Sequence, residues 1–497
     1  MDFSLDLYLA GLHYFANPMM FVFSFFGVLV GTVFGALPGL TATMTIAVFI
    51  PFTFGVPAVQ SFAFLLGLYS GAVYGGSVSA ILINIPGTPS AIATGFDGYP
   101  MCRQGRAGEA IGISTIASGL GGLFSVVVLA FAAPLVASIA LKFSNEEYVG
   151  ITLIGLSIIA IISPGSTVKG LMAGTLGLVI GTVGLDPIGS YPRIVFNRPE
   201  LFDGVSEIPV MIGMYGLSEM LVQISDEQHI KVITQKLKNV LPSMGQVAKL
   251  IPTVFRSSLV GVAIGAVPAA GGSIASLVAY GQEKRFSRNR EKLGTGIPEG
   301  VAAPEAANNA STGGALIPML TLGIPGDPMT AVLMGGLIIQ GLRPGPLLFL
   351  EQMPFVSSIF ISLLLSVIFM TVLGLAGARY FSRLISTPKR FLIPAILLFC
   401  LIGSYSINNS MFDIGILIAS GLVGFALRKF GFPVAPVILG LILGPMFEIN
   451  LRRALMLSRG DWTSFVTRPL SLSFIIIAIL VIVGPSLLDL FRRRIRG

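Results

Sequence analysis

The chain has 497 residues, 54% of them hydrophobic and only 11% charged, with a mean hydropathy of +0.88. A soluble protein carries about a quarter charged residues, so this balance excludes an ordinary soluble domain and defines an integral membrane protein. The formal net charge of +8 comes from Lys and Arg gathered in loops and at the C-terminus, the bias of cytoplasmic membrane segments. It gives no ground for a nucleic-acid partner.

Two cysteines, Cys102 and Cys400, are too few for a disulfide framework or a multi-cysteine metal site. His13 and His229 lie in polar flanks, so an intramembrane hydrolase lacks its base. No Gly-Lys-Ser/Thr phosphate loop supports a primary pump. The residues therefore point away from an enzyme and from a resident cofactor.

Residues 1–18 hold two Asp and no Lys or Arg, without the positive n-region of a signal peptide, and read as an interfacial segment. The first helix is expected from about residue 19 into Gly35-Ala36-Leu37-Pro38-Gly39. Its glycines at 27, 31 and 35 form a small-xxx-small contact stripe. A fresh helix start with Thr41, Thr43 and Thr45 follows. After a neutral connection at 52–59 comes the stretch that organises the chain: Tyr74-Gly75-Gly76-Ser77, an apolar run, then Asn84-Ile85-Pro86-Gly87-Thr88-Pro89-Ser90. Two prolines and a glycine within four positions forbid a continuous helix. Broken backbone at membrane depth survives only where protein or a watery cavity satisfies it.

A loop is expected at 97–106, a charge-free run at 110–141, spans at 148–163 and 170–185, a surface loop at 186–207 and a further span at 208–224. The polar stretch 225–249, with Lys231, Lys236, Lys238 and Lys249, reads as cytoplasmic. The pattern then restarts. Gly31 and Gly35-Ala36-Leu37-Pro38 recur as Gly261 and Gly265-Ala266-Val267-Pro268, and Pro86-Gly87-Thr88-Pro89 recurs as Pro325-Gly326-Asp327-Pro328. Four or five more spans, near 355–377, 391–407, 414–427, 432–447 and 470–488, read as scaffold. The tail Arg492–Arg496 reads as cytoplasmic.

The predicted fold is an all-α polytopic membrane protein with roughly 11 to 14 membrane segments. It is divided into a first repeat at 1–225, a connection at 226–250, core motifs of a second repeat at 251–350, and remaining spans at 351–497. Equivalent loops differ in charge. The segment 52–59 is neutral, whereas its counterpart carries Lys284, Arg285, Arg288, Arg290 and Lys292; Arg103 and Arg106 face only Arg343. Positive charge marks the cytoplasmic side, so the repeats, with their broken or re-entrant helices, are expected to be inverted. Matching interruptions in two halves are the best sequence pointer to a transport site.

These motifs, together with Asp97-Gly98-Tyr99-Pro100 and the run from Gly296-Ile297-Pro298-Glu299-Gly300 to Pro304-Glu305-Ala306-Ala307-Asn308-Asn309-Ala310, resemble the large membrane subunit of tripartite tricarboxylate transporters, TctA. The resemblance implies a secondary transporter of the bacterial inner membrane that takes up a carboxylate such as citrate, coupled to Na⁺ or H⁺. It also implies two partners, a small multispanning TctB-like subunit and a periplasmic TctC-like binding protein. A channel-like conduit is the alternative, because broken helices also line channels.

No Arg or Lys lies inside the breaks, so the positive potential for a carboxylate must come from helix N-termini after Pro38-Gly39, Pro86-Gly87, Pro268 and Pro325-Gly326. Thr41, Thr43, Thr88, Ser90, Ser273, Ser311 and Thr312 are candidate hydroxyl donors; Thr45 and Ser79 fit helix packing better. Asn84, Asn308 and Asn309 each carry an acceptor oxygen that suits a hard cation; Asn84 is also counted among the substrate-binding candidates, Asn308 and Asn309 among the cation ligands. Acidic residues beside the breaks are costly in lipid and are functional candidates by default. Asp327, inside the second Pro-Gly-x-Pro, leads as a cation ligand. Glu299 and Glu305 follow it, and Glu305 has the alternative of capping the helix that bears Asn308 and Asn309.

Overall fold

The computed structural model describes residues 14, 17–37, 39–162, 166–225, 240–268, 270–384 and 389–496. Helices dominate them. The first half supplies α1 (Pro18–Ala36), α2 (Ala42–Phe49), α3 (Ala58–Ile83), α4 (Ile92–Arg103) and α5 (Ala107–Ala140), then α6 (Asn145–Ile162), α7 (Thr167–Gly181) and α8 (Glu207–Ser225). The second supplies α9 (Met244–Gly265), α10 (Gly271–Phe286), α11 (Pro298–Leu322), α12 (Pro328–Ile339), α13 (Pro346–Glu351), α14 (Met353–Leu384) and α15 (Lys389–Asn408). It closes with α16 (Met411–Lys429), α17 (Ala435–Leu457) and α18 (Pro469–Arg496). Among the described residues, strand is confined to a two-residue antiparallel pair, β1 (Gly184–Leu185) with β2 (Pro192–Arg193). Eight helices among the described residues are long and apolar enough to cross a membrane, so the chain is a multi-pass membrane protein.

Contacts gather the chain into two units that each draw on both halves of the sequence: Met1–Ser138 with Glu219–Asn409, and Ile139–Ser218 with Ser410–Gly497.

In the first unit, α1 begins where Asn17 caps the amide of Met19 and Pro18 takes the first turn. Its glycine stripe meets α3, with Gly31 against the carbonyl of Leu68 and Gly35 against Ala72. A reciprocal stripe on α3, Gly67, Gly71 and Gly75, meets α1 at Ser24, Val28 and Thr32. Backbones approach where no side chain intervenes, and α3 is buried along its apolar length. The same arrangement recurs between α9 and α11: Gly261 against Ala307, Gly265 against Ser311, Gly314 against Val262.

Both long buried helices end alike. Asn84 closes α3 in the left-handed region (φ 57°), and Gly323 closes α11 there (φ 70°). Past each break the Pro-Gly pair folds back, Gly87 onto Gly76 and Gly326 onto Ala315. The helices that follow, α4 and α12, have 12 residues each, about 18 Å of rise and too short to span a bilayer alone. The loop expected at 97–106 is mostly helical, because α4 runs through it to Arg103 and only 104–106 turn. Asp97, in the middle of that helix, is wholly buried and makes specific bonds described below.

In the second unit, α7 packs on α17 through Gly177 and Gly440, each against the other helix's backbone. A π-helical turn, Ile212–Leu217, lets α8 lie against α16 at Gly213 and Ser420. The loop expected at 186–207 carries β2, which pairs with β1 just before it, and is pinned by ion pairs. Arg193 meets Glu448 at 2.6 Å, and Asp186 pairs with Arg452. The Arg452 guanidinium, followed by the amide of Gly189, holds the Asp186 carboxyl well below the usual carboxylate range.

Candidate functional site

Polar side chains inside the first unit gather on α11. Glu305, Asn308, Asn309, Ser311 and Thr312 are all buried there, with Glu305 0% exposed. Glu305 Oε1 accepts from Ser77 Oγ of α3 at 2.5 Å and from Thr94 Oγ1 of α4. Its Oε2 accepts from Ser114 (3.1 Å) and Ser118 (2.8 Å) of α5. Asn309 Nδ2 donates to Ser118 Oγ at 2.8 Å and to its own helix at the Glu305 carbonyl, which fixes the serine in place. Among the described residues no Lys or Arg pairs with Glu305. A buried carboxylate needs such partners, and here four hydroxyls supply them.

One turn further along α11, the Asn308 side chain is 1% exposed, yet neither its Nδ2 nor its Oδ1 has a hydrogen-bond partner. It faces the start of α10. A Cβ on Gly272 would stand 2.5 Å from Asn308 Oδ1, 2.9 Å from Ser311 Oγ and 3.4 Å from Ser90 Cβ. Only a glycine leaves that space open. Gly271 takes a positive φ of 59°, and no side chain caps α10. Its first-turn amides therefore lack the side-chain partner that helix N-termini ordinarily have. Ser90 pairs with Thr88 at 3.0 Å, which leaves one hydroxyl proton of the pair to donate.

The remaining candidates fall in four groups. Pro38 lies outside the described residues. Several are engaged locally: Thr41 caps α2 by accepting from Met44 (3.2 Å), and Ser311 and Thr312 donate to the carbonyls of Asn308 and Asn309. Thr45 donates to Thr41 and Ser79 to Gly76, as packing residues do. Others shape the breaks: Gly39, whose carbonyl accepts from Gln223 at 2.6 Å, exposed Asn84 at the end of α3, Pro86, Gly87, Pro325 and Gly326. Thr43 and Ser273 are half-buried on α2 and α10.

Asp327 is the N-cap of α12 in a reciprocal capping box with Thr330, and its Oδ2 accepts from Tyr69 at 3.0 Å. Both of its oxygens are thereby engaged. Gly271 packs against its Cβ, which brings this cap to the edge of the α10 terminus.

Sequence reasoning passed over Tyr69, Thr94, Ser114, Ser118 and Asp97. Asp97 ties α4 to the segment before α11: Oδ1 accepts from the amides of Gly296 (2.8 Å), Gly294 (3.0 Å) and Ile297 (3.0 Å), and Oδ2 from Tyr280 (2.9 Å). One signal was available for the serines. Ser114 and Ser118 stand four apart, on one helix face, in a charge-free run.

A multi-pass helical chain with buried polar groups gathered between two interrupted helices is organised as a membrane transporter component. The chain belongs to the tripartite tricarboxylate transporter TctA family, whose model matches residues 21–439. It is 38% identical over 467 residues to an uncharacterized 52.8 kDa protein in the TAR-I ttuC′ 3′ region of Agrobacterium vitis, covering 94% of this chain and 93% of that one. It is also 40% identical over 230 residues to an uncharacterized protein in the TAR-II ttuC′ 3′ region of the same organism, covering 46% of this chain and 95% of that one. No solved structure matches it.

Proposed function

We propose that this chain carries a carboxylate, citrate or a related di- or tricarboxylate, across the bacterial inner membrane by cation-coupled secondary transport. A periplasmic binding protein delivers the substrate and a small multispanning subunit completes the assembly. The observation that carries this reading is the buried, unpartnered Asn308 amide facing the uncapped start of α10. An anion there accepts from Asn308 Nδ2, from the Gly271–Ser273 amides and from the Thr88–Ser90 pair. The helix dipole favours the same charge by up to about 2 kcal/mol in a partly buried setting. A substrate hydroxyl donates to Asn308 Oδ1. Two inverted repeats would place the breaks face to face at the membrane midplane. The glycine contacts that recur between α1–α3 and α9–α11, and the opposite loop charges, support that arrangement.

The test is uptake of labelled citrate and a panel of dicarboxylates into proteoliposomes holding the chain and its small partner, with and without the binding protein, under a Na⁺ or H⁺ gradient. Uptake that needs both gradient and binding protein, and falls about tenfold or more in Asn308→Ala, is the expected result. Flux indifferent to any gradient would establish a channel-like conduit instead.

A further inference from the structure

We propose that Glu305 with Ser77, Thr94, Ser114 and Ser118 forms a sodium-ion site, and that this ion drives the transport proposed above. The coupling half of the statement rests on that reading; the binding half does not.

The argument begins with charge. Glu305 is wholly buried, and among the described residues no cationic side chain pairs with it. Buried charges are paired or bind metal ions. Two carboxylate oxygens and four hydroxyl oxygens converge from α3, α4, α5 and α11. Hard cations take oxygen ligands of this kind, and hydroxyls are rotors that can turn a lone pair inward when an ion enters. A single carboxylate balances one positive charge, which selects a monovalent ion over a divalent one. Among the described residues no three His, Cys, Asp or Glu side chains come together as a transition-metal site would require.

The same hydroxyls can also accept the hydrogen of a protonated acid, so the experiment below sets Na⁺ against pH. Ser118 is further held by Asn309, an outer contact of the sort that orients ion ligands. Glu305 also precedes Asn308 by three residues on α11, so a cation at one and an anion at the other occupy neighbouring turns of one helix.

The experiment uses the purified full chain without carboxylate. Na⁺ is titrated against K⁺ at constant ionic strength, reading the unfolding midpoint and bound ²²Na⁺. A saturable, Na⁺-specific response is expected in the unsubstituted protein and none in Glu305→Gln. The half-saturating Na⁺ concentration should rise about tenfold or more in Ser118→Ala and Thr94→Val. Ser406→Ala, whose hydroxyl donates to its own helix at Ile402, should leave it unchanged. If Glu305→Gln does not fold, the hydroxyl variants decide. A midpoint equally responsive to K⁺, or answering to pH and not to Na⁺, overturns the site, as does an unaltered response in both hydroxyl variants. Sodium binding without carboxylate uptake would instead overturn the transport reading and leave the site standing.

Discussion

Tyr69 donates its hydroxyl to Asp327 Oδ2 across 3.0 Å, tying the first long buried helix to the second break. The offset of 239 residues that carries Pro86 onto Pro325 also carries Tyr69 onto Asn308 and Thr88 onto Asp327. At that matching place the bond is missing: Asn308 has no partner and Thr88 turns to Ser90. One junction is closed by a phenol and a carboxylate. The other has an amide free for a ligand.

The closed junction makes a prediction about Asp327. Asn is as good an N-cap as Asp, and its amide can still meet the Tyr69 hydroxyl, so Asp327→Asn should keep the fold. Asp327→Ala loses the cap and strands a buried phenol, together on the order of 2–4 kcal/mol. Thermal unfolding in detergent should separate the two variants, and equal midpoints would refute the capping role.

Asp97 should matter as a clamp. It holds the amides of Gly294, Gly296 and Ile297 just before α11. Asp97→Asn turns an amide toward donors, at a cost on the order of 3 kcal/mol. The segment before it holds Lys284, Arg285, Arg288, Arg290 and Lys292, so limited trypsin digestion should cut there faster. Asp203→Asn, at an exposed position, should digest like the unsubstituted protein.

That clamp also marks where the sequence stops being legible. Asp-Gly-Tyr-Pro has turn chemistry, and nothing local reveals that Asp97 meets amides about two hundred positions away. Tertiary bonding overrode the local signal. Long apolar helices and both breaks were readable, because apolar length and Pro-Gly interruptions are local properties. The number of spans was less so, since eight described helices are long and apolar enough where roughly 11 to 14 segments were expected. Glu305 stands out in the sequence as an acid in an otherwise uncharged run, but nothing there reveals its shell. Ser114 and Ser118 look like packing serines until α11 is laid against α5. Thr41 looked like a site residue and serves as a cap, a role its place just before α2 also permits.

The interlocked glycines predict a sharp contrast. Gly31 meets the Leu68 carbonyl with no room for a Cβ, whereas around Gly281 nothing stands within 4 Å. Gly31→Ala must push α1 off α3 and should cost about 1–3 kcal/mol. Gly281→Ala, on the exposed face of α10, should gain up to about 1 kcal/mol from helix propensity alone. Apparent melting temperatures should move in opposite directions; a Gly31→Ala midpoint that rises or stays put would mean that α1 and α3 are not closely packed.

Orientation of the repeats is open to direct labelling. The segment 52–59 carries no charge and its counterpart near 288 carries five cations. If both faced the cytoplasm, the positive-inside bias would have acted on one and not on the other. Gly55 and Arg288 are exposed, and nothing stands within 4 Å of a Cβ on Gly55, although its φ of 77° makes a cysteine there cost about 1–2 kcal/mol. Cys102 and Cys400 are buried, so a membrane-impermeant thiol reagent should leave them largely silent. Gly55→Cys should react from the side opposite to Arg288→Cys in oriented vesicles. Labelling of both from one side would mean that the two halves run parallel, and the proposed meeting of their breaks at the midplane would fail with it.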